Sequence, residues 1–389
     1  MKKTIQLSII MVILTIILAC ENSSDHSLIN DPGETKDYIV TISNNSEILQ
    51  SANQSESILE EIFEFHSIEP TSVFFVYNTV ILGFAAELNN EQLNSLLNDK
   101  RISNIEEDLE FLINVVNNLE ENDSDEMQTQ NIPWGINAVG SFVNSGSSTG
   151  VAWVVDTGID LTHPDLNVST DLSRTFVRSG ADALSPNDGN SHGSHVAGTI
   201  AALNNNFGVV GVCAGAELVA IKVFNSRGSG TASQIIAGLD YIGKNLKSDR
   251  INVVNMSLGG SASTTLDNAV VSLASKGAYI VIAAGNSSMS ATNFSPARVN
   301  AENVFTISAY DSKGKFATFS NYGNPPIDFA APGVSIYSTS KSGKYSTKSG
   351  TSMAAPHVAG ILLANNGAIN WSGYVTSDKD NNPDKKAVR

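Results

Sequence analysis

Five short apolar runs limit what this chain can fold into: Val151 to Val155, Leu218 to Val223, Ile251 to Met256, Ala278 to Ala284 and Val304 to Ser308. Each is short for a buried helix, and despite Lys222, Asn252, Asn255 and Thr306 each carries apolar residues at consecutive positions, on both faces, unlike a strand with one wet face. Helix candidates lie between them, at Gly193 to Leu203, Ala232 to Leu246 and Ser263 to Lys276. Strands that alternate with helices imply crossover connections. The expected class for residues 131–389 is therefore α/β, a mostly parallel twisted sheet with helices on both faces.

A smaller unit is expected upstream, over residues 38–113. Asp37 to Ile42 alternates like a strand, and Ile58, Leu59, Ile62 and Phe63 mark one helix face between Ser57 and His66. Phe74 to Tyr77 and Ile81 to Ala86 read as strands, Asn90 to Leu97 as a helix, and Ile102 to Ile105 as a closing strand. This β-α-β-β-α-β order is the split motif of small α+β, ferredoxin-like domains. Residues 114–130, acidic and polar from Leu119 onward, read as an exposed linker that carries or adjoins a processing site.

Charge is placed unevenly along the 389 residues, whose formal net charge is −16. From Glu21 to Met127 there are 23 acidic side chains against Lys36, Lys100 and Arg101, whereas Gln128 to Arg389 carries 16 acidic against 18 basic. The acidity thus belongs to the N-terminal third. No basic cluster points to nucleic acid as a partner. Residues 1–20 have a basic start (Lys2, Lys3) and an apolar run too short to span a membrane comfortably. The run ends in Ile17-Leu18-Ala19-Cys20, which resembles a bacterial lipobox, so Cys20 is the expected lipidation point. Residues 21–37 then form a polar tether. Cys213, the other cysteine, is expected to be buried as a small apolar residue. The final stretch from Asn366 is expected to be a polar, solvated tail, with Asp378 to Asp384 its most charged part.

Three blocks carry chemistry. Val154-Val155-Asp156-Thr157-Gly158 stands at the carboxyl end of a strand, where such sheets collect function. An aspartic protease would need a second Asp-Thr-Gly or Asp-Ser-Gly, and the sequence has none. His192-Gly193-Ser194-His195 opens a helix; its histidines are three apart with no Glu between, unlike the zinc pattern His-Glu-x-x-His. Gly350-Thr351-Ser352-Met353-Ala354-Ala355-Pro356-His357 puts a serine at a helix start among small residues. There its hydroxyl is open to attack, and the helix N-terminus favours developing negative charge.

In the order Asp156, His192, Ser352 these blocks match the subtilisin-type triad. Residues 132 to 360 resemble the subtilase family of serine proteases, nearest to its proteinase-K-like branch. The linking stretches agree: Gly228-Ser229-Gly230, Asn255-Met256-Ser257-Leu258-Gly259-Gly260, Ala283-Ala284-Gly285-Asn286 and Phe319-Ser320-Asn321-Tyr322-Gly323. Residues 38–113 in turn resemble the family's inhibitory prodomain. The resemblance implies an exported serine endopeptidase made as a self-processed zymogen, acting on protein or peptide substrates as a monomer. It needs no cofactor for chemistry. It further implies that Asn286 and the Ser352 N–H bind the oxyanion. Ser257, Leu258, Gly259 and Gly260 on one side and Gly228 and Gly230 on the other would pair with substrate backbone. Phe294 would wall the pocket for an apolar P1 side chain. Asp328 would ligate a structural calcium, with Glu302 and the Val304 carbonyl as co-ligands. His163, His195 and His357 are expected to be structural.

Overall fold

The computed structural model describes residues 34–43, 52–113, 116, 129–146 and 150–389. The segment 1–20 with Cys20, the tether to residue 33 and most of the linker 114–130 lie outside the described residues.

The N-terminal unit follows the expected element order. Thr35–Ile42, Val73–Tyr77, Gly83–Asn89 and Ile102–Glu107 are its strands, with helices Ala52–Phe65 and Asn90–Leu97 between them. Thr35–Ile42 and Gly83–Asn89 are central, and every pairing is antiparallel. Asn89 and Gln92 start the second helix with a reciprocal capping box, Gln92 N–H donating to Asn89 Oδ1 at 2.9 Å. Strand alternation gives this small sheet two buried faces. Val40, Ile42, Phe84 and Leu88 pack on Leu59, Ile62 and Leu96 of its own helices. Ile39, Tyr77 and Ala85 instead join a core cluster of the large unit.

In the large unit nine strands form one sheet. From one edge they run Asn370–Tyr374, Lys385–Val388, Ile327–Pro332, Val304–Tyr310, Ala278–Ala283, Asn252–Met256, Val151–Asp156, Glu217–Lys222 and Arg174–Thr175. All neighbours are parallel except the first pair. Val151–Asp156 and Asn252–Met256 are buried along their whole length, as strands covered on both faces must be. Helices His192–Ala201 and Thr351–Ala364 cover the face of Ala152, Val154 and Val253. Ala232–Asn245 and Thr264–Ser275 cover the face of Trp153, Val155 and Val254.

The solvated tail is a correction. Lys385–Val388 adds a parallel strand to the sheet at Ala330↔Lys386, and Asn370–Tyr374 pairs with it. Ala387 is fully buried, and so is Asp384, which accepts from the Ser308 hydroxyl and from Asn324 Nδ2 at 2.8 Å. Two lysines in a four-residue strand hide the one apolar side chain that anchors it. Burial pushes the Asp384 acid up to about 7 from an ordinary 3.8. An acid whose folded value is raised contributes stability that is full below about pH 4 and is lost as pH climbs through 7. Asp384→Asn is therefore expected to melt with the wild type near pH 4, and increasingly above it from there to pH 9. The rise should be about 2–4 °C per kcal/mol relieved. Equal gaps at both pH values would remove Asp384 as the cause.

Candidate active site

The strand Val151–Asp156 lies between Glu217–Lys222 on one side and Asn252–Met256, reached later along the chain, on the other. Sites in such sheets gather at carboxyl ends flanking this reversal. Asp156 and Ser257 both stand there. Asp156 is fully buried and takes the Thr157 N–H at 2.7 Å. His192 opens its helix, and its Nδ1 lies 2.8 and 2.9 Å from the two Asp156 oxygens. A carboxylate can only accept, so Nδ1 carries the proton and Nε2 is the basic nitrogen. Nε2 is buried and has no hydrogen-bond partner among the described residues.

A carboxylate that sequence reasoning missed holds this pair in place. Asp188 is buried and accepts from Thr157 Oγ1 (2.9 Å), Asn190 N (2.8 Å), Ser191 N (3.0 Å), Ser194 N (2.9 Å) and Ser194 Oγ (2.7 Å). It thereby joins the turn after Asp156 to the start of the His192 helix. It also holds Ser191 at φ 97°, a conformation that a non-glycine residue keeps only when its surroundings enforce it. Gly193 permits the close approach, since a Cβ there would lie 2.0 Å from the Gly158 carbonyl oxygen.

Ser352 is the second residue of Thr351–Ala364, the helix packed against that of His192. Its Oγ donates to the Ser257 carbonyl at 3.2 Å, and the Ser257 hydroxyl donates to the Ser352 carbonyl at 2.8 Å. Asn286 follows the strand Ala278–Ala283. Its Oδ1 accepts both the Thr351 N–H (2.8 Å) and the Thr351 hydroxyl (2.9 Å), which commits the oxygen and turns the amide's NH2 the other way. Asp156, His192, Ser352 and Asn286, far apart in sequence, thus come from four connections at one end of the sheet.

The cleft edges enclose a strand that the sequence did not reveal. Glu110–Leu112, from the N-terminal unit, pairs antiparallel with Ser229–Thr231 and with Gly259–Ser261. Leu112 faces Ser229 and Gly259, Phe111 faces Gly230 and Gly260, and Ile113 N–H donates to the Gly228 carbonyl at 2.9 Å. Gly228, Gly230, Gly259 and Gly260 therefore grip one extended chain. Leu258 differs, its side chain buried in the core beneath. Phe111 is fully buried on Gly260, where any Cβ would meet its ring at 2.5 Å. Phe294 pairs opposite Ser261 and lines a cavity of about 230 Å³ together with Ser257, Ala283, Gly285, Ala297 and Ser352.

Carboxylates fasten the two units together. Glu106 accepts from Ser263 Oγ (2.7 Å) and Thr265 N (3.1 Å), at the start of Thr264–Ser275. Asp108 accepts from Ser233 N (2.8 Å) and Ser233 Oγ (2.6 Å), at the start of Ala232–Asn245. Both satisfy orphan donors at positive helix ends. Asp240 reciprocates, accepting Asn78, Thr79 and Val80 N–H at 2.7–3.2 Å.

The Subtilase family model matches residues 146–378, more than half of the chain, and the Peptidase inhibitor I9 model matches residues 37–111. The chain belongs to the subtilase family. Similar proteins include M-protease of Shouchella clausii, 38% identical over 89% of this chain and 82% of its own. Subtilisin Savinase of Lederbergia lenta is 45% identical over 59% of this chain and 82% of its own. A solved cold adapted subtilisin-like serine proteinase superposes with a TM-score of 0.56 at 34% identity, over 65% of this chain and 96% of that one. This subtilase is thus a serine endopeptidase with an inhibitory prodomain, and Glu110–Leu112 is where that prodomain enters the cleft.

The remaining expectations sort by their contacts. His163, His195 and His357 each bond a backbone carbonyl, of Lys344 (3.0 Å), Ile336 (2.9 Å) and Met353 (2.8 Å). Burial lowers the His195 and His357 values to about 3 and 4, keeping both rings neutral. Cys213 is a buried free thiol pushed up to about 11. Asp328, the expected calcium ligand, is half-buried beside the strand Val304–Tyr310. One oxygen takes the Thr306 N–H at 2.9 Å, and burial raises the acid to about 6. No group of three or more His, Cys, Asp or Glu side chains comes together among the described residues.

Proposed function

We propose that this subtilase hydrolyses peptide bonds through Asp156, His192 and Ser352, with Asn286 and the Ser352 N–H as oxyanion donors. The observation that carries the reading is the Asp156–His192 pair, which leaves a buried Nε2 without a partner among the described residues, on a helix packed against Thr351–Ala364, the helix that carries Ser352. Nε2 takes the Ser352 proton as Oγ attacks the carbonyl carbon, and later hands it to the leaving amine. Asp156 keeps the tautomer and stabilises the imidazolium. The Asn286 amide and the helix-start N–H meet the oxygen only once it carries charge, so they act on turnover rather than on binding. Phe294 at the cavity wall supports a preference for apolar P1 side chains.

The chain is also proposed to cut itself. The strand Glu110–Leu112 carries the prodomain towards Ser352 as far as Ile113, and Val116 lines a second cavity with Phe319, Val334 and Ser349, three residues from Ser352. These contacts support a cut between Ile113 and Val116, at the start of the linker. Cys20 lies on the prodomain side of this cut. If Cys20 carries lipid, maturation is also release from the membrane. Cell fractionation with N-terminal sequencing tests both. Soluble mature enzyme should begin at residue 114, 115 or 116, and the uncut precursor should sediment with membranes. A start at or beyond residue 117 would overturn the cut position, and a soluble precursor would overturn the lipid attachment.

A further inference from the structure

The loop that carries Asn286 has no regular structure, yet an oxyanion donor must be held to within a fraction of an ångström. One fully buried side chain outside the triad spans that loop. Asn321, from the segment between Val304–Tyr310 and Ile327–Pro332, accepts at Oδ1 from Ser287 N and Met289 N, both at 3.0 Å. Its Nδ2 donates to the Ala284 carbonyl at 2.8 Å, and its own N–H donates to the Gly285 carbonyl at 2.9 Å. It thus bonds residues on both sides of Asn286, at 284, 285, 287 and 289. The loop it grips contains two left-handed residues, Gly285 at φ 101° and Ser288 at φ 57°. Ser288 would relax without outside support. A Cβ on Gly285 would lie 2.4 Å from Asn321 Nδ2, so the two positions are fitted to one another. Thr351 fixes which way the Asn286 amide faces; Asn321 fixes where it stands.

We propose that Asn321 is a positioning residue for oxyanion stabilisation, acting on turnover through Asn286 without itself touching substrate. The inference rests on the oxyanion role of Asn286 proposed above. A double-mutant cycle separates the two claims. Four full-length chains are matured and assayed on one peptide substrate: wild type, Asn321→Ala, Asn286→Leu and the double variant. Asn321→Ala should lower kcat about 10- to 100-fold, the cost of a donor misplaced by about 1 Å, with KM nearly unchanged. In the Asn286→Leu background the same change should cost less than about threefold, because the donor it positions is already gone. Asn321→Asp keeps the acceptor for Ser287 and Met289 but not the donor to Ala284. It should fall between wild type and Asn321→Ala, and it serves as the reading if the alanine variant does not fold. Faster hydrogen exchange at the Ser287 and Met289 amides should accompany the loss. An equal drop in both backgrounds, or an effect on KM alone, would overturn the positioning role of Asn321. An Asn286→Leu enzyme with wild-type kcat would instead overturn the oxyanion role itself.

Discussion

Ser352→Ala should abolish peptide hydrolysis while leaving the fold intact. One oxygen is removed from a helix start, and the hydrogen bond from Ser257 Oγ to the Ser352 carbonyl survives because it uses backbone. The expected fall in kcat is about 10⁶, a magnitude taken from a related subtilisin rather than deduced from this structure. A serine-directed fluorophosphonate should label the wild type and spare the variant. The variant should also accumulate at full precursor size, since the strand Glu110–Leu112 would occupy the cleft with no nucleophile to cut it. Labelling that persists in Ser352→Ala would sink the assignment. A variant that still matures in the absence of other proteases would sink self-processing.

The second large effect is expected at the seam between prodomain and enzyme. Glu106 and Asp108 each serve two donors at a helix start, and charge-assisted hydrogen bonds are worth about 1.5–3 kcal/mol. Asp108 sits deep enough that burial raises its acid, which offsets part of its gain. Glu106→Gln with Asp108→Asn keeps shape and removes both charges. The full-length double variant should let its cut prodomain go about 10²–10⁴ times more readily, the fold-change equivalent to about 3–6 kcal/mol. Gel filtration after the cut should then separate prodomain from enzyme at concentrations where the wild-type pair co-elutes, and activity should appear earlier. Co-elution unchanged by the double substitution would mean that the strand in the cleft and the apolar contacts of Tyr77 and Phe111 carry the hold alone.

Much of this was legible in advance because the informative signals are local. The runs at Val151 and Ala278 are apolar on both faces, as a strand covered on both sides must be. Asp156, His192, Ser352 and Asn286 each sit in a block whose small residues make room for them. What escaped depends on partners distant in sequence. Glu110–Leu112 is three residues long and becomes a strand only between Ser229–Thr231 and Gly259–Ser261, more than a hundred residues away. Asp188 looks like any turn aspartate until Thr157 and Ser194 are brought to it. Asp384 reads as solvated because its burial depends on Ser308 and Asn324.

The C-terminal hairpin gives the sheet an irregular edge. A nine-stranded sheet with a long bare edge would invite a second copy to pair along it. Here one edge is Arg174–Thr175, only two residues long. The other, Asn370–Tyr374, is short, its register shifts between Trp371 and Tyr374, and Gly373 there adopts φ 96°. The half-exposed Trp371 ring lies 5.7 Å from the Lys385 ammonium, which keeps a charge over the most apolar part of that rim. Such kinks and lysines make a poor template for growth, so this strand ends the sheet rather than offering it to a neighbour.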